Sequence, residues 1–280
     1  MKSALLKYWL IIALLLNLAL SCAGPPRPVQ QDNVTGYNNQ TAVETLTPAL
    51  NTSDNSSSEN PYSALLGADD YDRVIAQAKA ALESDPADLI LREKLADAYI
   101  ARAWYYKVKR LNPYTLNDLM KAMEVAPEYY RTYYELGRFH NNQWQFSVGL
   151  LDLDKALSLK PDFAPAYSER GYSNYKSRKY EAALADVNRA VELDPLDPRS
   201  YCTRSLIYVA TGKPDLALED ADKAVQIAPS DAASYYNRSL VYTATGKPDL
   251  AIADLETTLN LSQDDLLTTR AAADLQKLKK

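Results

Sequence analysis

With 280 residues, 47% of them apolar and 24% charged, the chain is long enough for one large domain or two ordinary ones and is no disordered polyelectrolyte. Its 31 basic and 36 acidic residues leave a net charge of −5, which argues against nucleic acid as the main partner. One histidine, two cysteines and eight glycines leave little for a zinc or haem site or for phosphate-cradling loops, so no metal or cofactor is expected.

The first element is an export signal, residues 1–21. Lys2 and Lys7 precede an almost wholly apolar run from Tyr8 to Ser21, too short for the ~20 residues that span a bilayer. The run ends Leu18-Ala19-Leu20-Ser21-Cys22, which resembles a bacterial lipobox, with Ala19 and Leu20 departing from the usual residues. The resemblance implies that the Cys22 thiol receives diacylglycerol. The mature chain is then exported and lipid-anchored to a bacterial membrane, with its folded part outside the cytoplasm. The apolar run alone also suits ordinary secretion or an uncleaved anchor. With Cys22 lipidated, only Cys202 remains, so no intrachain disulfide forms.

Residues 22–62 form a tether. Pro, Asn, Ser and Thr dominate, no apolar period is sustained, and Arg27 stands against Asp32, Glu44, Asp54 and Glu59. About 40 such residues reach on the order of 35 Å. The Asn-x-Ser/Thr triplets at Asn33, Asn39, Asn51 and Asn55 are what this composition produces.

From 63 to 280 the spacing turns helical. Residues 69–86 read as the second helix of a unit, closed by Pro86. Residues 87–127 read as a hairpin with seven extra residues, placed as two extra turns in the run from Ile90 to Tyr106. Pro127, Pro161, Pro195 and Pro229 are then 34 apart, and ATGKPDLA occurs at 210–217 and again at 244–251. Units of about 130–163, 164–197, 198–231 and 232–263 follow, each a helix–turn–helix. Leu184, Val187 and Val191 share one helical face. Gly212 and Gly246 sit at the turns, where positive φ is wanted. Residues 264–280 read as a capping helix that opens with Asp265 and ends in lysines.

The order Tyr133, Gly137, Leu153, Ala156, Pro161, repeated as Tyr167, Gly171, Ala183, Ala190, Pro195 and as Tyr201, Ser205, Tyr208, Ala217, Ala224, Pro229, strongly resembles the tetratricopeptide repeat family. The resemblance covers about residues 69–263. It implies an all-α, right-handed solenoid whose first helices line a concave groove that binds a protein or peptide. Its terminal helix closes the apolar end.

Four constellations need a reading. Arg170, Arg204 and Arg238 recur with Asp186, Asp220 and Asp254, as a structural pair bridging the two helices or as a ladder of free arginines for a ligand. His140 reads as a core or half-buried ring, and Cys202 as a small residue in a packed helix. Gly212-Lys213 lacks the remaining positions of a phosphate loop. No catalytic set appears, so the protein is expected not to be an enzyme.

Projected from the family's pattern, the groove displays Arg131, Tyr134, Arg138, Asn141, Asn142, Tyr172, Tyr175, Lys176 and Arg199: four basic residues and no acidic one. Further along come Leu206 and Leu240, in a stretch without charge. The family's two-carboxylate clamp is rejected, because Tyr134, Arg138, Ser168 and Tyr172 occupy its positions. The expected partner is a protein or peptide with an acidic segment. The second reading is a small ligand or glycan stacked on the groove tyrosines.

Overall fold

The structure, a computed structural model, describes residues 67–279. The expected export signal, Cys22 and the expected tether lie outside the described residues. Among these the chain forms twelve α-helices and no strand: α1 (Ala68–Ser84), α2 (Leu89–Val108), α3 (Asn112–Val125), α4 (Tyr130–Asn142), α5 (Phe146–Leu159), α6 (Ala164–Lys176), α7 (Tyr180–Leu193), α8 (Pro198–Ala210), α9 (Pro214–Ile227), α10 (Ala232–Ala244), α11 (Pro248–Leu261) and α12 (Asp265–Leu278). Each even-numbered helix from α2 to α10 pairs most closely with the one after it, and each hairpin packs on the next. The result is an all-α stack of five hairpins, with α1 against its first helix and α12 against its last.

Local chemistry explains the periodicity. The first helix of each hairpin from α4 on has 13 residues and the second has 14. Proline begins α8, α9 and α11, where its missing N–H costs nothing. Asp197 and Asp231 cap α8 and α10 with their carboxylates. The repeated tyrosines and prolines form a lock: the hydroxyls of Tyr133, Tyr167, Tyr201 and Tyr235 donate to the carbonyls of Pro127, Pro161, Pro195 and Pro229 at 2.7, 3.2, 3.2 and 3.1 Å. Small residues let the helices of a hairpin touch. A Cβ on Gly171 would lie 2.4 Å from a methyl of Val187, and one on Gly149 would lie 3.0 Å from the carbonyl of Gly137. Ala183, Val187, Ala190, Ala217, Ala221 and Ala224 are fully buried in these seams.

The extra length of the first hairpin lies in α2, which has 20 residues. The extension precedes Asp97, because Tyr99 already stands one full repeat before Tyr133. The C-terminal helix starts differently from the expectation. Its cap is Asp264, whose carboxylate accepts from the amides of Leu266 and Leu267 at 2.7 and 3.0 Å, and Asp265 is the first helical residue.

All five hairpin turns use a left-handed residue at the same register position: Arg110, Trp144, Arg178, Gly212 and Gly246, with φ of 57°, 62°, 59°, 73° and 70°. Only the last two are glycine. A side chain in this region carries strain that glycine does not. Arg178→Gly is expected to stabilise the protein by about 0.5–1 kcal/mol, since relief of that strain outweighs the added freedom of the unfolded chain. A denaturant titration measures it; a midpoint at or below wild type contradicts the strain argument.

Candidate partner-binding groove

The first helices carry the groove side chains at a fixed register. Arg131 approaches Asp97 of α2 at 3.7 Å. Arg138 lies between Glu135 and Glu169, at 3.4 and 3.5 Å. Its guanidinium also sits over the rings of Trp104 and Tyr134, at 4.4 and 5.4 Å, and the Lys107 ammonium lies 3.9 Å from the Trp104 centroid. Arg199 donates to Asp197 at 2.9 Å. Asn141 donates to Glu169 and accepts from the Ser173 hydroxyl. The expectation of a basic, acid-free groove is therefore corrected. Arg131, Arg138 and Arg199 each have a carboxylate partner, supplied by positions the projection left out: Asp97, Glu135, Glu169 and Asp197.

Tyr134 is also corrected. It is only 7% exposed, packed edge-on against Phe163 at 5.1 Å. Phe163 precedes α6 and closes over the ring, so Tyr134 supports Arg138 from below. Asn142 is exposed, and Tyr172, Tyr175 and Lys176 are half-buried. These three join an aromatic row that runs from Trp144 through Phe146, Tyr172 and Tyr175 to Tyr180, with successive centroids 5.9 to 6.5 Å apart. Lys176 lies within 5.3 to 5.8 Å of three of the rings. Trp144 is 64% exposed on its left-handed turn. Leu206 and Leu240 are half-buried. Beside Leu240, Tyr236 donates to Asp274 of α12 at 3.0 Å, so the C-terminal helix shares this end of the groove.

Trp104 and Lys107 were missed by the sequence projection. They occupy the positions one repeat before Arg138 and Asn141, and Asp97 the position one repeat before Arg131. The extension of α2 obscured that register. Burial and the neighbouring Arg138 cation draw the Lys107 ammonium from the ordinary 10.5 down to about 8. Between these values the folded chain binds fewer protons than the unfolded one. Lys107 therefore costs stability below pH 8, and the cost fades as pH rises. Lys107→Met is expected to be the more stable protein at pH 7, with an advantage that shrinks between pH 8 and 10.5. Urea titrations across that range test it; a pH-independent difference contradicts the assignment.

The recurring arginines belong to the scaffold. Arg102, Arg170, Arg204 and Arg238 each grip a buried aspartate on the second helix of their own hairpin through Nε and Nη2, at 2.6 to 3.0 Å. Their Nη1 atoms reach the preceding second helix, at Asp72, Asp154, Asn188 and Asp222. They are no ladder of free cations. In the α4–α5 hairpin Leu136 takes the arginine position, and His140 Nδ1 meets Asp152 Oδ2 at 2.6 Å instead. The lone histidine is thus a buried structural partner. Cys202 is half-buried, and burial with the nearby Asp231 pushes its thiol up to about 12. Among the described residues no His/Cys/Asp/Glu group could hold a metal, and no helix is long and apolar enough to cross a membrane.

A family model described as Tetratricopeptide repeat matches residues 134–198 and 202–265. The fold is a tetratricopeptide-repeat (TPR) solenoid. The TPR protein TTC0263 of Thermus thermophilus has a TM-score of 0.58 at 19% identity, covering 65% of this chain and 99% of its own. PilW, a type IV pilus biogenesis factor, gives 0.55 at 18%, covering 76% and 92%. PilF of Pseudomonas aeruginosa gives 0.52 at 18%, covering 67% and 88%. At these identities the likeness speaks for the TPR fold. No match is found among the curated proteins.

Proposed function

We propose that this TPR protein is a non-enzymatic scaffold of the bacterial cell envelope, held to a membrane through a lipid on Cys22, that binds a protein or peptide in its concave groove. The observation that carries the binding role is the strip of Lys107, Trp104, Arg138 and Glu169 across α2, α4 and α6. Aromatic and arginine side chains supply most of the energy at protein interfaces. Here they are already oriented by their neighbours, which lowers the ordering cost of binding. The paired carboxylates favour a partner presenting both charges over a purely acidic one. The envelope location rests on the Lys2-to-Cys22 segment.

The aromatic row from Trp144 to Tyr180 favours a second reading, a sugar stacked on the exposed Trp144 and the half-buried rings beside it. Salt dependence separates the two. Peptide binding through Arg138 weakens with ionic strength, whereas stacking does not. The test is a photocrosslinker at position 107 or 172 in the native host, with mass spectrometry of the captured species and fractionation of a Cys22→Ser variant. Capture of a protein from both positions, with loss of membrane association in the variant, supports the scaffold. Absence of any protein adduct, or a Cys22→Ser protein that fractionates like wild type, counts against it.

A further inference from the structure

The C-terminal helix does more than cover the last hairpin. One end is held by α10 and α11, through Tyr236–Asp274 at 3.0 Å and Lys279–Glu256 at 2.8 Å. The other end reaches the opposite end of the solenoid. Asp265 meets Arg110, on the α2–α3 turn and 155 residues away in sequence, at 3.4 Å. Asp264 is close enough to favour the charged form of Lys107. Between the two ends, Arg270 acts on Tyr172 and Lys176 of α6 as well as on Tyr236. A 14-residue helix is about 21 Å long. With its ends at α10 and at the α2–α3 turn and its middle beside α6, α12 lies across the concave face.

Its hold is slight. Ala271 is its one buried residue among those described, and Leu266 is 54% exposed. The Arg110–Asp265 pair is 70% and 88% exposed, and such pairs contribute little. Elements with few buried contacts open first. The link from α11 is only Ser262, Gln263 and the cap Asp264, with Gln263 where earlier units close on proline.

We propose that α12 is an internal ligand of the groove, which occupies the concave face in the resting protein and gives way to an external amphipathic helix of the same chemistry. That chemistry is two carboxylates at the N-terminus, a narrow stripe such as Leu267, Ala271, Leu275 and Leu278, and a basic C-terminal end. The proposal rests on the groove reading and specifies both its partner class and its regulation. The partner pays for displacing α12, so the full chain binds more weakly than the open one by the fraction of open molecules.

The probe is a fluorescein-labelled synthetic peptide of residues 262–280. Its affinity is measured for the wild-type chain, for the full-length Asp265→Lys/Asp274→Ala variant, and for a chain ending at residue 263. The double variant alters only α12 and leaves the groove intact. The expected result is affinity about tenfold higher for the double variant and at least as high for the truncation. Equal affinity for all three folded proteins, or none, overturns the proposal. If the truncated chain fails to fold, the double variant and hydrogen exchange of the wild type decide. Amides of α12 must exchange faster than those of α10, and protection equal to α10 overturns the proposal. Native partner capture separates this from the broader reading. A partner lost on Arg138→Glu but indifferent to the α12 variant removes the internal ligand alone. A partner retained on Arg138→Glu removes the groove.

Discussion

Replacing Asp220 by alanine is expected to destabilise the solenoid by on the order of 3 kcal/mol, far more than a change to an exposed carboxylate. Asp220 is buried and accepts from Arg204 Nε and Nη2 at 2.7 and 2.8 Å. Its removal leaves a largely buried guanidinium with Asn188 at 3.0 Å as its remaining side-chain acceptor in this network. An uncompensated buried charge costs more than the pair contributes net, so the double change Arg204→Met/Asp220→Leu should recover most of the loss. The paired measurement is a thermodynamic cycle, since neighbouring effects do not add. Asp222→Ala serves as the control, because that carboxylate is half-exposed where it meets Arg238. If Asp220→Ala and Asp222→Ala cost the same, the two-helix grip is not what holds the hairpin. Each unit is stabilised by its neighbours, so faster hydrogen exchange should concentrate in α8 and α9 and the hairpins beside them.

Arg138→Glu is expected to weaken the captured partner by about 2 kcal/mol, roughly thirtyfold, while helix content stays unchanged. The substitution removes the cation stacked on Trp104 and sets a third carboxylate beside Glu135 and Glu169. Arg138→Gln should show a smaller loss and a weaker salt dependence. Circular dichroism checks the fold, and titration at two ionic strengths checks the charge. Wild-type affinity in a folded Arg138→Glu protein moves attention to the aromatic row at Trp144.

The periodic chemistry of the fold was legible in the residues themselves. The tyrosine that returns in every unit, with a proline shortly before it, is read from the chain. The structure shows why it recurs, as a phenol hydroxyl on a proline carbonyl at the start of the last four hairpins. The Arg–Asp spacing was legible too, because these partners lie across a single hairpin at one constant separation. Partners across hairpins were not. Glu169 meets Arg138 from the hairpin that follows, and Asp97 meets Arg131 from the one before. Counting only the projected groove positions therefore made the groove look basic, whereas Arg131, Arg138 and Arg199 each meet a carboxylate. Tyr134 looked displayed because its register position faces the groove, yet Phe163 from the loop before α6 covers it.

The C-terminal helix marks the limit most clearly. Its existence, its acidic start and its basic end follow from local composition, because caps and dipoles act within a turn. Its place across the groove follows from the accumulated curvature of five hairpins, which brings Arg110 to Asp265. Small rotations at each interface add up along a solenoid, and no short-range pattern encodes their sum. What the sequence determined by itself is the repeating unit and the chemistry of each helix. Only the tertiary structure decided which charges meet and what lies over the groove, because those contacts depend on the summed geometry of every hairpin between them.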